Sequence, residues 1–245
     1  QNTLTDSASY SADTTSEDEP NATLFSKVDL SIAGNGSLTI NGNYNDGISS
    51  KDGLIIAGGT IVVNAIDDGI RGKDYLVIKD GNLTVTTNGD GLKSDNEEDA
   101  TLGFIEIFQG NLDITAGGDA ISAQSQVHIE GGTLTLASGG GSGTWLDDAI
   151  SAKGIKGEVS VIIEDGIFNI NSADDAIHSN GDLVINGGTY QIATGDDGMH
   201  ADTSLTINSG EITIIESYEG IESAIITLND GHLHINASDD GINIA

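Results

Sequence analysis

The 245-residue sequence contains no cysteine, so it has neither disulfide bonds nor thiolate metal ligands. Basic residues are scarce: eight Lys and Arg stand against 39 Asp and Glu, which gives a formal net charge of −31. Such a surface repels nucleic acids and anionic membranes, and it attracts cations. No apolar run approaches the roughly 18 residues of a membrane-spanning segment. Nucleic acid is therefore excluded as a partner, and so is direct insertion into a membrane.

The only proline, Pro20, lies in a polar, acidic stretch over residues 1–23. This composition predicts a flexible tether, followed by one folded domain over residues 24–245. A cap packed over the start of that domain is the alternative. The Ser/Thr/Asp-rich beginning is typical of a mature secreted protein, so we expect a secreted or cell-surface location.

A short motif returns along the whole chain, as in Asp67-Asp68-Gly69-Ile70. It has an acid in second place, Gly or Ala in third place, and an aliphatic residue or Met in fourth place. Nine copies occur, and their second-place acids are Asp46, Asp68, Asp90, Asp119, Asp148, Asp175, Asp197, Glu219 and Asp240. The spacing is 22 residues or close to it, with extra residues in three repeats. A fixed period of this length predicts a solenoid.

Each repeat contains short alternating apolar segments, such as Leu54/Ile56 and Ile61/Val63, separated by a glycine turn and the acidic turn. Period-two alternation predicts strands with one buried face. Three strands per repeat predict an all-β, right-handed parallel β-helix of about nine coils, each of about 22 residues. The extra residues are expected as loops near 96–102, 139–145 and 154–158, which form a wall on one side. An uncapped last coil is expected to expose a strand edge and to favour end-to-end association, unless a missing C-terminal portion, a partner or a dimer covers it.

Stacked coils bring the acidic turns about 5 Å apart, where two carboxylates repel by roughly 3 kcal/mol. Bound Ca²⁺ offsets this repulsion, since it takes six to eight oxygen ligands in irregular geometry. The alternative is that the acids are solvated turn formers. We predict more than one Ca²⁺, with ligands drawn from Asp46, Asp67, Asp68, Asp90, Asp147, Asp148, Asp174, Asp175, Asp196, Asp197, Asp239 and Asp240.

The position two residues after the small residue is expected to point outward beside the acids. It is occupied by Ser49, Arg71, Lys93, Ser122, Ser151, His178, His200, Glu222 and Asn243. Its cations either balance the acids or grip the carboxylates of an acidic sugar. The two histidines are weaker candidates for a metal. Trp145, at the end of a glycine-rich loop, is the best aromatic candidate for stacking on sugar. The candidate substrate-binding residues are Arg71, Lys73, Lys93 and Trp145.

Two octapeptides, residues 67–74 and 89–96, resemble the carbohydrate-binding β-helix family of cellulosome-producing clostridia, which is related to the family-9 pectate lyases. The resemblance implies bound Ca²⁺ and binding of polygalacturonate or another plant cell-wall polysaccharide. It also implies that Asp46, Asp67 and Asp68 match lyase calcium ligands and that Lys93 matches the lyase base. Arg71 departs from the pattern, because the lyases carry another aspartate there.

Three hypotheses follow. The first is a Ca²⁺-dependent module that binds acidic polysaccharide without cleaving it. The second is a Ca²⁺-dependent pectate lyase that uses Lys93 as its base, which requires a lowered lysine pKa. The third is a structural or adhesive cell-surface rod that is stiffened by Ca²⁺. The Arg71 departure favours the first.

Overall fold

The computed structural model describes residues 1–9, 21–147 and 150–245. These residues form a parallel β-helix with three sheets, which confirms the predicted all-β fold, and the described residues contain no helix. Within them, no helix has the length and apolar character that crossing a membrane requires.

Sheet 1 contains ten parallel strands. They are β1 (Asn2–Thr5), β4 (Ser37–Gly42), β7 (Thr60–Ala65), β10 (Asn82–Thr86), β13 (Asn111–Ala116), β16 (Thr133–Ser138), β19 (Ile167–Ser172), β22 (Thr189–Thr194), β25 (Glu211–Glu216) and β28 (His232–Ile235).

Sheet 2 also contains ten parallel strands and follows the acidic turns. They are β2 (Ala22–Ser26), β5 (Asp46–Ser50), β8 (Ile70–Gly72), β11 (Leu92–Ser94), β14 (Ile121–Ala123), β17 (Ile155–Gly157), β20 (Ile177–Ser179), β23 (Met199–Ala201), β26 (Ile221–Ser223) and β29 (Ile242–Asn243).

Sheet 3 contains nine parallel strands. They are β3 (Leu30–Ile32), β6 (Leu54–Ile56), β9 (Tyr75–Ile78), β12 (Phe104–Ile107), β15 (Gln126–Ile129), β18 (Ser160–Ile163), β21 (Asp182–Ile185), β24 (Ser204–Ile207) and β27 (Ile226–Leu228). Each coil passes through sheets 1, 2 and 3 in that order.

The described residues form ten coils, one more than the nine predicted. The additional coil is the first, made of β1, β2 and β3, and the tenth has only β28 and β29. The sequence motif missed the first coil because Ala22 stands at the position of the second-place acid, paired with Asp46.

Part of the predicted tether over residues 1–23 differs from that prediction. Asn2–Thr5 pairs in parallel with Ser37–Gly42 and extends sheet 1 by one strand, with Leu4 paired to Ile40. The physical reason is that the edge of β4 offers unpaired backbone groups, which an alternating segment can satisfy. Residues 10–20 lie outside the described part of the chain, so a domain boundary at residue 23 stays a prediction.

Equivalent residues of successive coils stack in register and form continuous interior ladders. Leu83, for example, pairs with Ile61 on one side and Leu112 on the other, and all three side chains are buried. Full burial of such a side chain contributes about 1.5–3 kcal/mol each. Phe168 and Tyr190 stack inside the helix with ring centroids 4.7 Å apart, as their inward positions predicted.

The turn glycines between sheets 3 and 1 have the positive φ that their repetition predicted. Gly81 and Gly110, for example, have φ values of +136° and +129°, a region that disfavours other residues. The turn between β3 and β4 differs from the later ones, because Gly34 rather than Gly36 has the positive φ.

The structure corrects the prediction in the fifth full coil, counted from Ser37–Gly42. The strand that joins sheet 2 there is Ile155–Gly157, with Ile155 paired to Ile121, so residues 154–158 do not form a loop. Two loops interrupt the regular coils in the described residues, one at 95–103 and one whose described parts are 139–147 and 150–154. Ile150, which the motif placed in the core, is 50% exposed, whereas Ile155 is fully buried. The burial of Ile155 therefore decides that the segment beginning at Ile155, and not the one at Ile150, pairs with β14.

The last strands expose several apolar side chains, including Ile225 and Leu228 at β27 and Ile244 after β29. This agrees with an open edge after β28 and β29 in the described residues. End-to-end association through the last coil stays a prediction.

Candidate functional site

The turn before sheet 2 has one equivalent position in each coil, which holds an acid in eight of the ten described coils, and these residues stack directly above one another. We call this the acid ladder. Its members are Asp46, Asp68, Asp90, Asp119, Lys153, Asp175, Asp197, Glu219 and Asp240. Lys153 takes the place that the motif gave to Asp148, because the Ala120 N–H donates to the Lys153 carbonyl and the Gly154 N–H donates to the Asp175 carbonyl. Asp147 lies in the loop 139–154, and Asp148 lies outside the described residues.

The acid ladder also holds the backbone together. Asp68 Oδ1 accepts the Asp90 N–H at 3.0 Å, and Asp90 Oδ1 accepts the Asp119 N–H at 2.8 Å. The same bond joins Asp119 Oδ1 to the Lys153 N–H at 2.7 Å. One oxygen of each of these carboxylates therefore accepts a backbone hydrogen bond in the turn, as expected for a turn former.

The predicted calcium cluster of Asp46, Asp67, Asp68 and Asp90 does not converge on one point. The described residues include four groups of three or more Asp, Glu or His whose ligand atoms lie within 4.8 Å of one another, and none contains these four. The Lys93 ammonium lies among them, 3.1 Å from Asp68 Oδ2 and 2.9 Å from Asp90 Oδ2. A protein cation therefore supplies part of the positive charge that Ca²⁺ was expected to bring.

Asp46 is the most enclosed acid of this cluster, with 1% of its surface exposed. Its Oδ2 has no hydrogen-bond partner, and its Oδ1 accepts a bond from Asn45 Nδ2 at 3.0 Å. Burial, followed by the nearby Asp68 carboxylate, raises the pKa of Asp46 to about 7. The side chain is thus close to half protonated at neutral pH.

The predicted cationic substrate-binding residues are paired with acids of the same chain. Arg71 forms a two-nitrogen contact with Asp95, with Nη2 at 2.7 Å from Oδ2 and Nε at 3.1 Å from Oδ1. Lys73 Nζ lies 3.4 Å from Glu98 Oε1. These contacts favour charge balance over direct gripping of a sugar carboxylate.

Lys93 has the wrong electrostatics for a general base. Burial disfavours its charged form, but the carboxylates of Asp90 and Asp68 outweigh burial and raise the pKa of Lys93 above its usual range. A lysine that removes a proton must instead have a lowered pKa. The environment of Lys93 therefore disfavours the lyase hypothesis.

The second predicted calcium cluster is brought together in part. Ligand atoms of Asp174, Asp175 and Asp196 lie within 4.8 Å of one another. Lys153 Nζ contacts two of these acids, Asp174 Oδ1 at 2.7 Å and Asp175 Oδ2 at 2.9 Å. Burial and then the neighbouring carboxylates, led by Asp175 and Asp197, raise the pKa of Asp196 to about 6. Three acids against one lysine leave excess negative charge at this point.

Trp145 stands over this cluster. It is 87% exposed, the largest exposed fraction among the large hydrophobic residues described. A cleft of about 460 Å³ is lined by Trp145, Asp147, Lys153, Asp174, Asp196 and neighbouring residues of the loop 139–154. An open aromatic ring, a cluster of carboxylates and a cleft therefore coincide at one place on the surface.

The residues of sheet 2 at the position predicted to point outward form what we call the outer strip, although Ser49 is fully buried, against that prediction. Its members are Ser49, Arg71, Lys93, Ser122, Lys156, His178, His200, Glu222 and Asn243. Lys156 stands where the motif placed Ser151, because Ile155 and not Ile150 occupies the core position of this coil. A second cleft, of about 430 Å³, lies over Ser122, with Lys93 toward one end and Lys156 toward the other.

Lys153 of the acid ladder and Lys156 of the outer strip are the candidate site residues that the acidic motif did not detect. The segment Lys153-Gly154-Ile155-Lys156-Gly157 matches Asp68-Gly69-Ile70-Arg71-Gly72 in every feature except its first residue. The Gly-Ile-Lys-Gly pattern was therefore the available signal. A motif search that requires an acid in second place passes over it.

The last predicted acids, Asp239 and Asp240, are exposed in the final coil. Neither belongs to a group of ligand atoms within 4.8 Å among the described residues.

Comparison with known proteins gives the family. A family model described as "Carbohydrate-binding domain-containing protein" matches residues 1–198. A curated protein of that description from Acetivibrio thermocellus is 44% identical over 64 residues, which are 26% of this chain and 22% of that protein. This chain therefore spans about a fifth of the length of that relative. No solved structure matches this chain. Because the family model covers most of its length, the chain belongs to the family of carbohydrate-binding domain-containing proteins.

Proposed function

We propose that this protein is a secreted or cell-surface module that binds an acidic plant cell-wall polysaccharide, such as polygalacturonate, with Ca²⁺ between the two. It does not cleave the chain it binds. Carbohydrate as the class of ligand rests on the family, whose description names carbohydrate binding.

The observation that carries the proposal is the cleft beside Trp145. The exposed indole offers an apolar face of the kind that packs against a sugar ring. The carboxylates of Asp174, Asp175 and Asp196 lie close enough together to share one cation. Ca²⁺ suits such a set, because it accepts several carboxylate oxygens in irregular geometry.

Charge explains why a cation is needed. A chain of net charge −31 repels a polyanion, and the Arg71, Lys73 and Lys93 side chains already contact acids of the chain. Ca²⁺ bound to excess carboxylate can also accept a uronate carboxylate from the ligand. The acids of the protein would hold the ion, and Trp145 would orient the sugar.

Calorimetric titration with polygalacturonate oligomers tests the proposal, in Ca²⁺ and in a chelator. We expect binding in Ca²⁺ and none in chelator. Asp196→Asn should weaken binding at least tenfold, while Asp113→Asn, an exposed sheet 1 acid, should leave it unchanged although it removes the same charge.

Equal binding in chelator and in Ca²⁺ would overturn the role of the ion. Binding of neutral glucans but not of polygalacturonate would overturn the acidic specificity. If no glycan on an array binds while Ca²⁺ raises the melting temperature, the structural rod becomes the better description.

A further inference from the structure

Two histidines lie side by side on the outer strip. His178 and His200 occupy equivalent positions in β20 and β23, which are paired. Their rings stack with centroids 4.9 Å apart and an interplanar angle of 22°. Both side chains are largely shielded from solvent, with 13% and 22% of their surfaces exposed.

Each ring is oriented by hydrogen bonds on both nitrogens. On the outer side, His178 Nε2 lies 2.7 Å from Asn180 Oδ1, and His200 Nε2 lies 3.1 Å from Asp202 Oδ1. Asn180 Nδ2 donates to Glu158, so its Oδ1 is the atom that faces His178. Both acceptors are oxygens, so each Nε2 has a partner to which it can donate a proton.

On the inner side, each Nδ1 faces a carboxylate of its own coil. His178 Nδ1 lies 2.7 Å from Asp175 Oδ2, and His200 Nδ1 lies 3.0 Å from Asp197 Oδ2. With Nε2 protonated, Nδ1 of a neutral ring presents a lone pair to an anionic oxygen, which is repulsive. A positive centre must therefore lie between them, and it is either a second proton on the ring or a metal ion.

The ligand atoms of this region converge. Those of Asp175, His178 and His200 lie within 4.8 Å of one another, and so do those of Asp197, His200 and Glu222. His200 belongs to both groups. Zinc ligands in a tetrahedral site lie about 3.3 Å apart, from bond lengths of about 2.0–2.1 Å. Within each group, the ligand atoms therefore lie at most about 1.5 Å farther apart than one tetrahedral ion requires.

Asp197 also carries an oxygen without a partner, on the side of the carboxylate away from the Oδ2 that faces His200. Its Oδ1 is enclosed and has no hydrogen-bond partner, although only 5% of the residue is exposed. The equivalent oxygen of Asp175, one coil earlier, accepts the Asp197 N–H at 3.0 Å. An enclosed carboxylate oxygen without a donor is costly unless a cation compensates it.

We propose that His178 and His200, with the carboxylates of Asp175, Asp197 and Glu222 that converge on them, form a binding site for a transition-metal dication of the zinc class. Imidazole nitrogen with carboxylate oxygen is a donor set that zinc prefers, whereas Ca²⁺ takes oxygen ligands. The metal replaces the positive charge between each Nδ1 and its acid. Asn180 and Asp202 hold the rings through Nε2, as outer partners of metal-bound histidines do. Asp175 borders both this site and the carboxylates proposed to hold Ca²⁺ beside Trp145.

The test is a Zn²⁺ titration of the metal-stripped full chain by competition with a chromophoric chelator. We expect one tight site, with at least a tenfold loss of affinity in both His178→Asn and His200→Asn. His128→Asn is the matched control, because His128 also lies between acids on an outward strand face, 3.7 Å from Glu106 and 3.6 Å from Glu164. Circular dichroism establishes that each variant is folded.

Three results would overturn the proposal. They are no Zn²⁺ binding by the wild-type chain, unchanged affinity in both histidine variants, or loss of binding in His128→Asn. Co²⁺ adds a second readout, since the ligand-field spectrum of a tetrahedral nitrogen and oxygen site should appear in wild type and vanish in His200→Asn. No polysaccharide is present, so failure here is separate from failure of the proposed carbohydrate binding.

Discussion

Lys153 occupies the coil next to Asp175 on the acid ladder, and its ammonium lies 2.9 Å from the Asp175 carboxylate. It also lies 2.7 Å from Asp174 Oδ1. Burial opposes ionisation of Asp175, but the His178 hydrogen bond and the Lys153 charge outweigh it and lower the pKa of Asp175. One lysine within a column of acids, together with His178, thus keeps a buried neighbour charged.

Replacing this lysine should destabilise the fold. Lys153→Met keeps most of the side-chain volume but leaves Asp174 and Asp175 without their cation. Loss of one partner of a buried ion pair costs about 3 kcal/mol, which urea unfolding would measure. Lys156→Met is the control, because its partner Glu158 is partly exposed and the change should cost less than about 1 kcal/mol. Equal losses in the two variants would contradict the role given to Lys153.

The Asp46 carboxyl should make the metal-free protein less stable as the pH rises. Its pKa of about 7 in the folded state exceeds the ordinary value of 3.8, so the folded state binds the extra proton between these values. Stability from this group is therefore present below about pH 4 and is lost as the pH rises toward 7.

Asp46→Asn removes that dependence and should stabilise the protein at pH 8 in chelator. The upper bound is about 4 kcal/mol, at about 1.4 kcal/mol per pKa unit. Chemical denaturation at pH 4 and pH 8 checks this. A variant that is less stable than wild type at pH 8 in chelator would refute it. A large loss confined to Ca²⁺ would instead support Asp46 as a calcium ligand.

Trp145 should contribute to binding and not to folding. Because its side chain is 87% exposed, Trp145→Ala should leave the melting temperature within about 1 °C of wild type. Loss of a stacked aromatic should weaken polygalacturonate binding about tenfold or more, as calorimetry would show. Tyr75→Ala is a comparison variant, because Tyr75 stacks on Phe104 in sheet 3 and should affect stability instead. Unchanged affinity in Trp145→Ala would move the sugar site elsewhere.

The wild-type protein should show no lyase activity. The Lys93 ammonium is held by Asp68 and Asp90 and stays protonated, so it cannot accept a proton from a uronate. Polygalacturonate incubated with the protein and Ca²⁺ should therefore give no rise in the absorbance of unsaturated products. A rise that disappears in Lys93→Ala would re-establish the lyase hypothesis.

The sequence was sufficient for the architecture. The 22-residue spacing of the acidic turns and the period-two alternation between them specify three strands per coil and the buried face of each strand. These signals are local, and stacking repeats them ten times. The first coil escaped detection because Ala22 lacks the acid by which the other coils were recognised.

Tertiary structure decided which residues enter the ladders where the chain is longer than one period. Both 147–150 and 153–155 offer a turn that ends in isoleucine. The packing of the coil selects the second of these turns. Lys153 stands seven residues before β18, the separation that Asp68, Asp119, Asp175 and Asp197 keep from their following sheet 3 strands. That spacing lets Ile155 reach the core, while Ile150 remains in the loop.

The pairing of charges was also beyond the sequence. Which acid neutralises Arg71 or Lys93 depends on distances in space: Arg71 meets Asp95 at the start of the loop 95–103, whereas Lys93 meets Asp68 and Asp90 of the acid ladder. The stacking of His178 on His200 follows directly from the 22-residue period, but the nitrogens that face acids do not. The amino-acid composition determined that the acidic surface needs cations. The register of the coils determined where lysine, arginine and histidine lie beside the acids, because Coulomb attraction acts between groups that are close in space.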